Sequence, residues 1–288
     1  MERIALEALG IAPDHVGRIP GTEIEITHPC AGRPVQHVLF DFDGTISLLR
    51  EGWQHIMQSV CVAEICGDQP PPPAVEKLVA RFIEETTGEQ TIQQMERLVE
   101  MVREAGYVPE EAILDAWGYK ARYNEELIRP VQERLARLAN GAANVTDFQV
   151  WDVKRFLELL QAAALHLYVF SGTDQDDVRN EAHALQVDHF FLEIWGALDS
   201  IEAFSKEKTI QTLLEKHQLS GEALLAIGDG PVEIRNIKAV GGTAVGVASN
   251  EVEGGWDAEK RERLLRAGAD ILVPDFRDAE TLHRYLLG

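Results

Sequence analysis

Past residue 150 the chain alternates between short apolar runs and segments with helical periodicity, and this alternation restricts the possible folds more than any other feature. Strands are predicted at 165–170, near 194, and at 224–227, 243–247 and 271–273. Between them lie predicted helices at 153–163, 176–185, 206–217, 231–240 and 258–267, and a last helix ends near residue 285. Strands that alternate with helices form parallel sheets with helices on both faces. The sequence therefore predicts an α/β fold with a Rossmann-like sheet, to which the apolar run 35–40 also belongs.

The stretch from 52 to 140 differs from the rest, because it is rich in helix formers and contains no convincing strand. Apolar residues recur at three- and four-residue spacing, as at Leu78, Phe82 and Ile83. The prolines at 70–73 separate a first helix from a second, since proline cannot lie inside either one. We predict three parts: an N-terminal extension at 1–34, a core domain at 35–51 and 141–288, and an inserted all-α domain at 52–140.

The first 34 residues are predicted to be peripheral. Arg3–Leu9 is compatible with a short helix and Glu23–Thr27 with a short strand. Three roles stay open for this extension: an arm for oligomerisation, a support for the helical insert, or a frayed tail.

Charge narrows the choice of partners. The 288 residues include 27 Lys and Arg against 48 Asp and Glu, which gives a formal net charge of −21. Nucleic acids and anionic membrane surfaces bind basic faces, so we expect neither as a partner. A small phosphorylated metabolite remains compatible, because a divalent cation and one or two basic groups neutralise a phosphate locally.

The compartment is predicted from what the sequence lacks. Cys30, Cys61 and Cys66 form no CxxC pair, and we interpret them as buried or incidental thiols. Residues 1–10 carry acids and no apolar stretch, unlike a signal peptide, and no apolar run approaches the length of a membrane span. These features predict a soluble cytoplasmic protein, with no indication of its oligomeric state.

Four polar clusters follow predicted strands or begin predicted helices. In open parallel sheets, ligands bind at the carboxyl ends of the strands, so these clusters mark the edge where a site is expected. In chain order they are Asp41-Phe42-Asp43-Gly44-Thr45, Ser171-Gly172-Thr173-Asp174, Ser205-Lys206 and Gly228-Asp229-Gly230-Pro231-Val232-Glu233. Together they supply what phosphoryl transfer requires: a nucleophile, a proton donor and acceptor, a cation site and donors for the phosphoryl oxygens.

The acids of these clusters suit covalent phosphoryl transfer. A carboxylate nucleophile such as Asp41 can form an acyl phosphate. A second carboxylate such as Asp43 can protonate the leaving oxygen and then activate water. With Asp229 the two acids make an oxygen-rich site of the kind that Mg²⁺ prefers. Gly44 would leave room for close approach of the backbone to the substrate.

The other clusters offer groups that bind phosphoryl oxygens. The hydroxyl of Ser171 and the amides of Gly172 and Thr173, near a predicted helix start, are candidate donors. Lys206 supplies a positive charge. Lys208 is the alternative lysine, although the position of Lys206 at a predicted helix start favours Lys206.

The four clusters, in this order, resemble the four motifs of the haloacid dehalogenase-like superfamily of phosphohydrolases, over about residues 35–275. The insert lies where that superfamily places a helical cap, as in phosphoglycolate phosphatase and β-phosphoglucomutase. The resemblance implies Mg²⁺ as the cofactor and a catalytic cycle that passes through an aspartyl phosphate on Asp41.

The roles of individual residues follow from the same resemblance. It implies that Asp43 is the general acid and base, and that Ser171 and Lys206 bind the phosphoryl group, with Lys206 also part of the catalytic set. It further implies that the metal is held by the side chains of Asp41 and Asp229 and by the main-chain carbonyl of Asp43.

The aspartate at position 43 narrows the chemistry within the superfamily. Relatives that hydrolyse carbon–phosphorus bonds have a small residue there, ion-pumping relatives have threonine, and dehalogenating relatives lack the metal-site pattern. Asp43 therefore favours hydrolysis of a phosphate monoester, with a sugar phosphate or related polyol phosphate as the expected substrate. The alternatives are a phosphomutase of the same fold and, less favoured because Asp41 and Lys206 are both present, a non-catalytic binding protein.

The fourth motif departs from the usual pattern, which ends in aspartate where this chain has Glu233. Glutamate is one methylene longer, so it could reach the metal directly or through a water molecule. The alternative is a glutamate that only stabilises a helix N-terminus through the helix dipole.

Substrate specificity is expected to reside in the insert. Thr87, Gln90 and Thr91 lie in a break between two predicted helices and are candidates to bind a sugar or other polyol. The alternative is an ordinary connection in which threonine caps the next helix. Arg50 is either a contact for a second anionic group or a surface residue, and Trp53 either belongs to the core of the insert or stacks on the substrate.

Two further features are interpreted as structural. His37 and His166 alternate with apolar neighbours on predicted strands and are predicted to be structural histidines. The run Glu259–Arg266 mixes charges at helical spacing, which predicts a solvated helix face.

Overall fold

A computed structural model describes residues 10–12, 14–198 and 206–288, and a mixed sheet lies at its centre. Its eight strands are β1 (Gly17–Arg18), β2 (Glu25–Ile26), β3 (His37–Phe40), β4 (His166–Asp174), β5 (Glu193–Ala197), β6 (Leu224–Gly228), β7 (Thr243–Val247) and β8 (Ile271–Val273). They are arranged in the order β1-β2-β8-β7-β6-β3-β4-β5, and the six strands from β8 to β5 are parallel. The parallel order places β3, β4 and β6 side by side, so that their carboxyl ends meet.

Ten α-helices surround or extend from this sheet in the described part of the chain. They are α1 (Trp53–Cys66), α2 (Pro73–Thr86), α3 (Thr91–Ala105), α4 (Ala116–Ala139), α5 (Val153–Ala162), α6 (Gln175–Ala184), α7 (Lys206–His217), α8 (Pro231–Ala239), α9 (Ala258–Ala267) and α10 (Ala279–Leu287). Helices α5, α6 and α10 contribute to one hydrophobic cluster, and α7, α8 and α9 to another.

Successive side chains of the central strands belong alternately to the two clusters. On β3, Val38 and Phe40 belong to the first cluster, whereas Leu39 belongs to the second. This is the period of two expected of a strand that is covered on both faces. The predicted α/β fold, with helices on both faces of a largely parallel sheet, is confirmed.

Helices α1 to α4 pack on one another around a third hydrophobic cluster, separate from the two beside the sheet. Met57, Val79, Met95 and Tyr119, one from each helix, are buried in it. The bundle is inserted between β3 and α5, so its two ends connect to the sheet near the carboxyl end of β3.

The described part of the N-terminal segment is less peripheral than predicted. β1 and β2 form an antiparallel hairpin, and β2 pairs antiparallel with β8 at the sheet edge. Ile19, Ile24 and Ile26 are buried in the first cluster. β2 confirms the short strand predicted at Glu23–Thr27, whereas β1 was not predicted, because two residues are too short to produce a recognisable alternation. The helix predicted at Arg3–Leu9 lies outside the described residues.

β4 is longer than predicted and runs through the second motif. Its last residue, Asp174, pairs with Ala197 of β5, and α6 begins only at Gln175. Ser171, Gly172 and Thr173 are therefore extended strand residues, not the start of a helix.

The three cysteines are free and buried, as predicted. Among the helices that the structure describes, none combines the length and apolar character needed to cross a membrane.

His37 is a buried residue of β3 at the end of the sheet opposite the motif clusters. Its ring lies 4.7 Å from the rings of His166 and His217, and its Nδ1 lies 3.1 Å from the hydroxyl of Tyr168. Burial, with the two neighbouring histidines, lowers the pKa of His37 from 6.5 to about 4. It is a structural residue, as predicted.

This depressed pKa predicts a pH-dependent stability. Between pH 6.5 and about 4, the unfolded chain binds a proton at His37 that the folded chain does not, so stability should fall as the pH falls through this range. Thermal unfolding followed by circular dichroism should show a shallower fall in His37→Gln than in the natural chain. If the thermal stability of both proteins falls equally with pH, groups other than His37 cause the loss of stability in acid.

Candidate active site

Asp41 follows β3 directly and lies in the middle of the sheet edge. Its amide donates to the carbonyl of Ile227 on β6 at 2.8 Å, which fixes its backbone between two strands. Its Oδ1 accepts a hydrogen bond of 2.7 Å from Nζ of Lys206. Burial raises the pKa of Asp41 to about 6, although the charge of Lys206 opposes the increase. The result is a buried carboxylate held beside a buried ammonium group.

Asp43 lies two residues further on and is held by the second motif. Its Oδ2 accepts a hydrogen bond of 2.7 Å from Oγ1 of Thr173, while its Oδ1 is buried without a hydrogen-bond partner. Burial raises the pKa of Asp43 to about 7, against the lowering effect of Arg50. Asp43 therefore holds a proton more readily than an aspartate in water. Thr173, which was expected only to offer its amide, positions this acid through its hydroxyl.

Gly44 makes the turn between the two sides of the site. Its φ of +72° lies in the left-handed region, and a Cβ there would clash with Oδ2 of Asp229. Ser249 fixes the turn by donating to the carbonyl of Gly44 at 3.1 Å. The space at Gly44 thus admits the carboxylate of Asp229, and the approach of the Gly44 backbone to the substrate stays a prediction.

The second motif faces the insert. Oγ of Ser171 lines the cavity and accepts a hydrogen bond of 3.1 Å from the amide of Thr173. That amide is consequently engaged within the protein and not turned to a ligand. A Cβ on Gly172 would lie 2.7 Å from the carbonyl oxygen of Glu89, so glycine is required where the loop of the insert crosses β4.

Lys206 begins α7 and joins two acids. Its Nζ contacts both Asp41 and Glu233, and all three side chains are buried. Lys208, the alternative third-motif lysine, is exposed. Ser205, the first residue of this predicted cluster, lies outside the described residues.

Glu233 contacts Lys206, and its contact with the metal, direct or through a water molecule, stays a prediction. Its Oε1 accepts from Lys206, and its Oε2 is buried without a hydrogen-bond partner. This contact makes Glu233 a second counter-ion of the lysine, beside Asp41.

Asp229 has a partner that the sequence did not suggest. Its Oδ2 lies 2.9 Å from Nζ of Lys260 on α9, and that ammonium also lies 2.5 Å from Oε1 of Glu251. Burial lowers the pKa of Lys260, but the two carboxylates outweigh it and raise that pKa above its ordinary range. The run Glu259–Arg266 is therefore not simply a solvated face.

A signal for this lysine was present in the sequence. Lys260 and Leu264 are one helical turn apart, and both are buried on the side of α9 that faces the sheet. A lysine on the apolar face of an amphipathic helix needs a buried acid, which only the fold supplies.

Arg50 is not the surface residue that was one of its two predicted roles, and its contact with a second anionic group stays a prediction. It is buried, its Nε and Nη2 bond both oxygens of Glu181 at 2.6–3.2 Å, and Nη2 also bonds Asp177 at 3.1 Å. Its Nε lies 3.9 Å from Oδ1 of Asp43. Arg50 thus connects the acid of the first motif to helix α6.

The loop between α2 and α3 covers the site. The hydroxyl of Thr87 donates to the carbonyl of Ile83 at 2.9 Å, within its own helix. Gly88 adopts a φ of +92°, and a Cβ there would lie 2.7 Å from Oε1 of Glu233. Gln90 faces a neighbouring surface groove, whereas Thr91 lines the cavity itself.

The cavity between the sheet edge and the bundle collects most of the predicted site residues. Its walls include the first three motifs, Asp229 of the fourth, and residues from the insert. The lining residues are Asp41, Asp43, Arg50, Trp53, Thr87, Gly88, Glu89, Thr91, Gln94, Tyr123, Leu127, Ser171, Gly172, Thr173, Lys206 and Asp229.

The family model for haloacid dehalogenase-like hydrolases matches residues 38–247. The match spans well over half of the chain and includes all four motifs, so this protein belongs to the haloacid dehalogenase-like hydrolase family. The predicted family is confirmed, and with it the prediction of an enzyme of this type.

Solved structures share the fold at low sequence identity. A predicted phosphoglycolate phosphatase from Haemophilus somnus is 19% identical, with a TM-score of 0.57 over 86% of this chain and 98% of its own. A β-phosphoglucomutase from Clostridium difficile is 16% identical, with a TM-score of 0.56 over 87% and 97%. CbbY from Rhodobacter sphaeroides, solved with phosphate, is 15% identical, with a TM-score of 0.53 over 84% and 95%. No curated protein matches the sequence.

Proposed function

We propose that this chain is a Mg²⁺-dependent phosphomonoesterase that acts on a small phosphorylated metabolite. The observation that carries the proposal is the buried row of Asp41, Lys206 and Glu233. A carboxylate 2.7 Å from a buried ammonium is a nucleophile placed beside the cation that a phosphoryl group needs. Membership of a hydrolase family and the phosphatases among the fold neighbours support the same chemistry.

The reaction proceeds in two steps on the residues of the first motif. An oxygen of Asp41 attacks phosphorus, the bond to the leaving oxygen breaks, and Asp43 gives that oxygen its proton. The alcohol departs, and Asp41 carries the phosphoryl group. Asp43, now a carboxylate, takes a proton from a water molecule whose oxygen attacks phosphorus. Inorganic phosphate leaves, and both acids return to their starting states.

The surrounding residues orient these groups. The hydroxyl of Ser171 and the ammonium of Lys206 bind phosphoryl oxygens, and Glu233 holds the lysine in place. The hydroxyl of Thr173 keeps the carboxyl group of Asp43 directed at the leaving oxygen. The contacts of Glu233 with Lys206 and of Thr173 with Asp43 are formed before substrate binds, and such preorganisation makes electrostatic stabilisation effective.

The bundle α1–α4 acts as a cap over this site. Gly88, in the loop between α2 and α3, packs against the carboxylate of Glu233. Lys120 of α4 contacts Asp174, at the end of β4, at 2.5 Å. A cap that closes over the cavity excludes water from the first step and admits small substrates.

The residues of the site fit a bound Mg²⁺. Carboxyl groups outnumber ammonium groups around the site. The ammonium groups are those of Lys206 and Lys260, and the carboxyl groups are those of Asp41, Asp43, Asp229, Glu233 and Glu251. The side chains of Asp41 and Asp229 and the main-chain carbonyl of Asp43 would hold the ion. A bound Mg²⁺ supplies the positive charge that the phosphoryl oxygens require.

The small number of side chains available as ligands is compatible with Mg²⁺. Within residues 10–12, 14–198 and 206–288, no group of three His, Cys, Asp or Glu side chains could hold a metal alone. Main-chain oxygens, water and substrate would complete the coordination, and Mg²⁺ is commonly bound through only one or two carboxylates.

A panel of phosphorylated metabolites and aryl phosphates tests the proposed function. Phosphate release should require Mg²⁺, stop when EDTA removes the metal and resume when Mg²⁺ is added in excess. If no member of the panel releases phosphate in the presence of Mg²⁺, the protein is not a phosphomonoesterase.

The pair of Lys260 and Glu251 predicts a measurable effect on metal affinity. Glu251→Gln leaves the positive charge of Lys260 uncompensated beside Asp229, so Mn²⁺, used as a probe for Mg²⁺, should bind roughly 10- to 100-fold more weakly. Titration calorimetry or electron paramagnetic resonance on metal-free protein measures this without turnover.

The double variant Lys260→Met, Glu251→Gln is the matched control, because it removes the ammonium and its counter-ion together. Its Mn²⁺ affinity should return towards that of the natural chain. Unchanged affinity in Glu251→Gln alone would show that the Lys260 ammonium does not act on the metal.

A further inference from the structure

The part of the cavity beyond the phosphoryl site lacks an available positive charge. Among the described residues that line the cavity, Arg50 and Lys206 are the only cations. Lys206 contacts two carboxylates, and it lies on the side of the phosphoryl group. Within this cavity a second anionic group on the substrate would therefore depend on Arg50, because Arg97 and Arg235 line the neighbouring groove and not the cavity itself.

The charge of Arg50 is already offset. Glu181 bonds it through both carboxylate oxygens, with a shortest distance of 2.6 Å, and Asp177 adds a second carboxylate at 3.1 Å. The carboxyl group of Asp43 lies 3.9 Å from the same guanidinium. The carboxylates of Glu181 and Asp177 already neutralise this arginine, and Asp43 occupies the space beside it, so this corner of the cavity is unfavourable to a further anion.

Another part of the cavity wall is aromatic and aliphatic. Trp53 of α1 and Tyr123 and Leu127 of α4 line it, and the last two are buried. The amide of Gln94 is committed to the bundle, because its Nε2 donates to Oγ1 of Thr86 at 2.9 Å. This wall offers an aromatic and aliphatic surface to the leaving group.

We infer that the physiological substrate is the phosphate monoester of an alcohol that carries no second anionic group and presents an apolar face to Trp53, Tyr123 and Leu127. The inference rests on the proposed phosphomonoesterase function. It excludes substrates whose alcohol bears a carboxylate or a second phosphate, which includes 2-phosphoglycolate and hexose bisphosphates. A phosphomutase that works through a bisphosphate would need the anion site that this cavity lacks.

Matched pairs of substrates test the inference on the unmodified protein with Mg²⁺. The pairs are phenyl phosphate with 4-carboxyphenyl phosphate, 2-hydroxyethyl phosphate with 2-phosphoglycolate, and glucose 1-phosphate with glucose 1,6-bisphosphate. In each pair the member without the extra anion should have a kcat/KM at least about tenfold higher, because the site leaves the added charge unpaired.

A variant that adds the missing cation provides the converse test. Thr91 lines the cavity at the start of α3 and is only partly buried, so Thr91→Lys can place an ammonium group there with little disturbance of the bundle. In Thr91→Lys the preference for phenyl phosphate over 4-carboxyphenyl phosphate should shrink or reverse.

The outcomes separate the two claims. Equal or better turnover of the carboxylated and bisphosphate members by the natural chain would overturn the inference and leave the phosphomonoesterase function intact. Failure of every pair and of p-nitrophenyl phosphate to release phosphate would overturn the proposed function itself, and the inference with it.

Discussion

Asp41→Asn should reduce kcat for every phosphate monoester by roughly 10⁴-fold or more, a loss of the size seen when the nucleophile of a covalent mechanism is removed. An amide oxygen is a far weaker nucleophile than a carboxylate, and no other residue replaces it. The variant should remain folded, because asparagine keeps the size of the side chain and the oxygen that accepts from Lys206 at 2.7 Å.

Phosphate release, measured with a substrate that the natural chain turns over well, checks this prediction. Asp188→Asn is a matched control, since Asp188 lies on a short helical turn paired with His183, outside the cavity. Circular dichroism on both variants excludes unfolding. Turnover by Asp41→Asn within tenfold of the control would remove Asp41 from the nucleophilic role.

The substitution Asp43→Asn should lower kcat by an amount that depends on the leaving group of the substrate. For an alkyl phosphate the alkoxide must be protonated as it departs, so kcat should fall by roughly 10²- to 10⁴-fold. p-Nitrophenolate leaves without a proton, so formation of the aspartyl phosphate should survive with that substrate. Hydrolysis of the intermediate still needs a base, and it should become the slow step.

Rapid mixing with p-nitrophenyl phosphate measures the two steps separately. Asp43→Asn should release p-nitrophenolate in a burst of about one equivalent per enzyme, followed by slow turnover. Asparagine keeps an oxygen to accept from Thr173 at 2.7 Å, so the first motif should hold its shape. Losses of equal size for alkyl and aryl phosphates, without a burst, would contradict the role of Asp43 as acid and base.

The helices and strands of the core were predictable because each carries its own local signal. Thr243–Val247, Ala258–Ala267 and Ile271–Val273 have the same bounds in the sequence prediction and in the structure. Apolar runs bounded by glycine, and helical periodicity between them, are properties of neighbouring residues, so they can be recognised without knowledge of the fold.

The pairings that escaped prediction depend on distant partners. β2 lies within the short strand predicted at Glu23–Thr27, but its pairing with β8, which attaches the β1–β2 hairpin to the sheet, was not predicted. β4 extends to Asp174 because β5 pairs with it there. Such pairings are formed by residues far apart in the chain, so no local sequence pattern predicts them.

The same contrast holds in the active site. The sequence alone determined which residues meet at the sheet edge, because Asp41, Ser171 and Asp229 each lie on or directly follow a parallel strand of one sheet. It also indicated Lys206 over Lys208 through their positions at the start of a predicted helix.

Only the tertiary structure decided which charges pair. Arg50 bonds Glu181 across 131 residues of chain, and Lys260 reaches Asp229 from a helix that the charge pattern had assigned to solvent. A buried ion pair requires two side chains at contact distance in a site shielded from water, and both conditions arise only when the sheet and its helices pack together. The motifs therefore specify the chemistry, whereas the packing specifies what holds each reacting group and which substrates the cavity accepts.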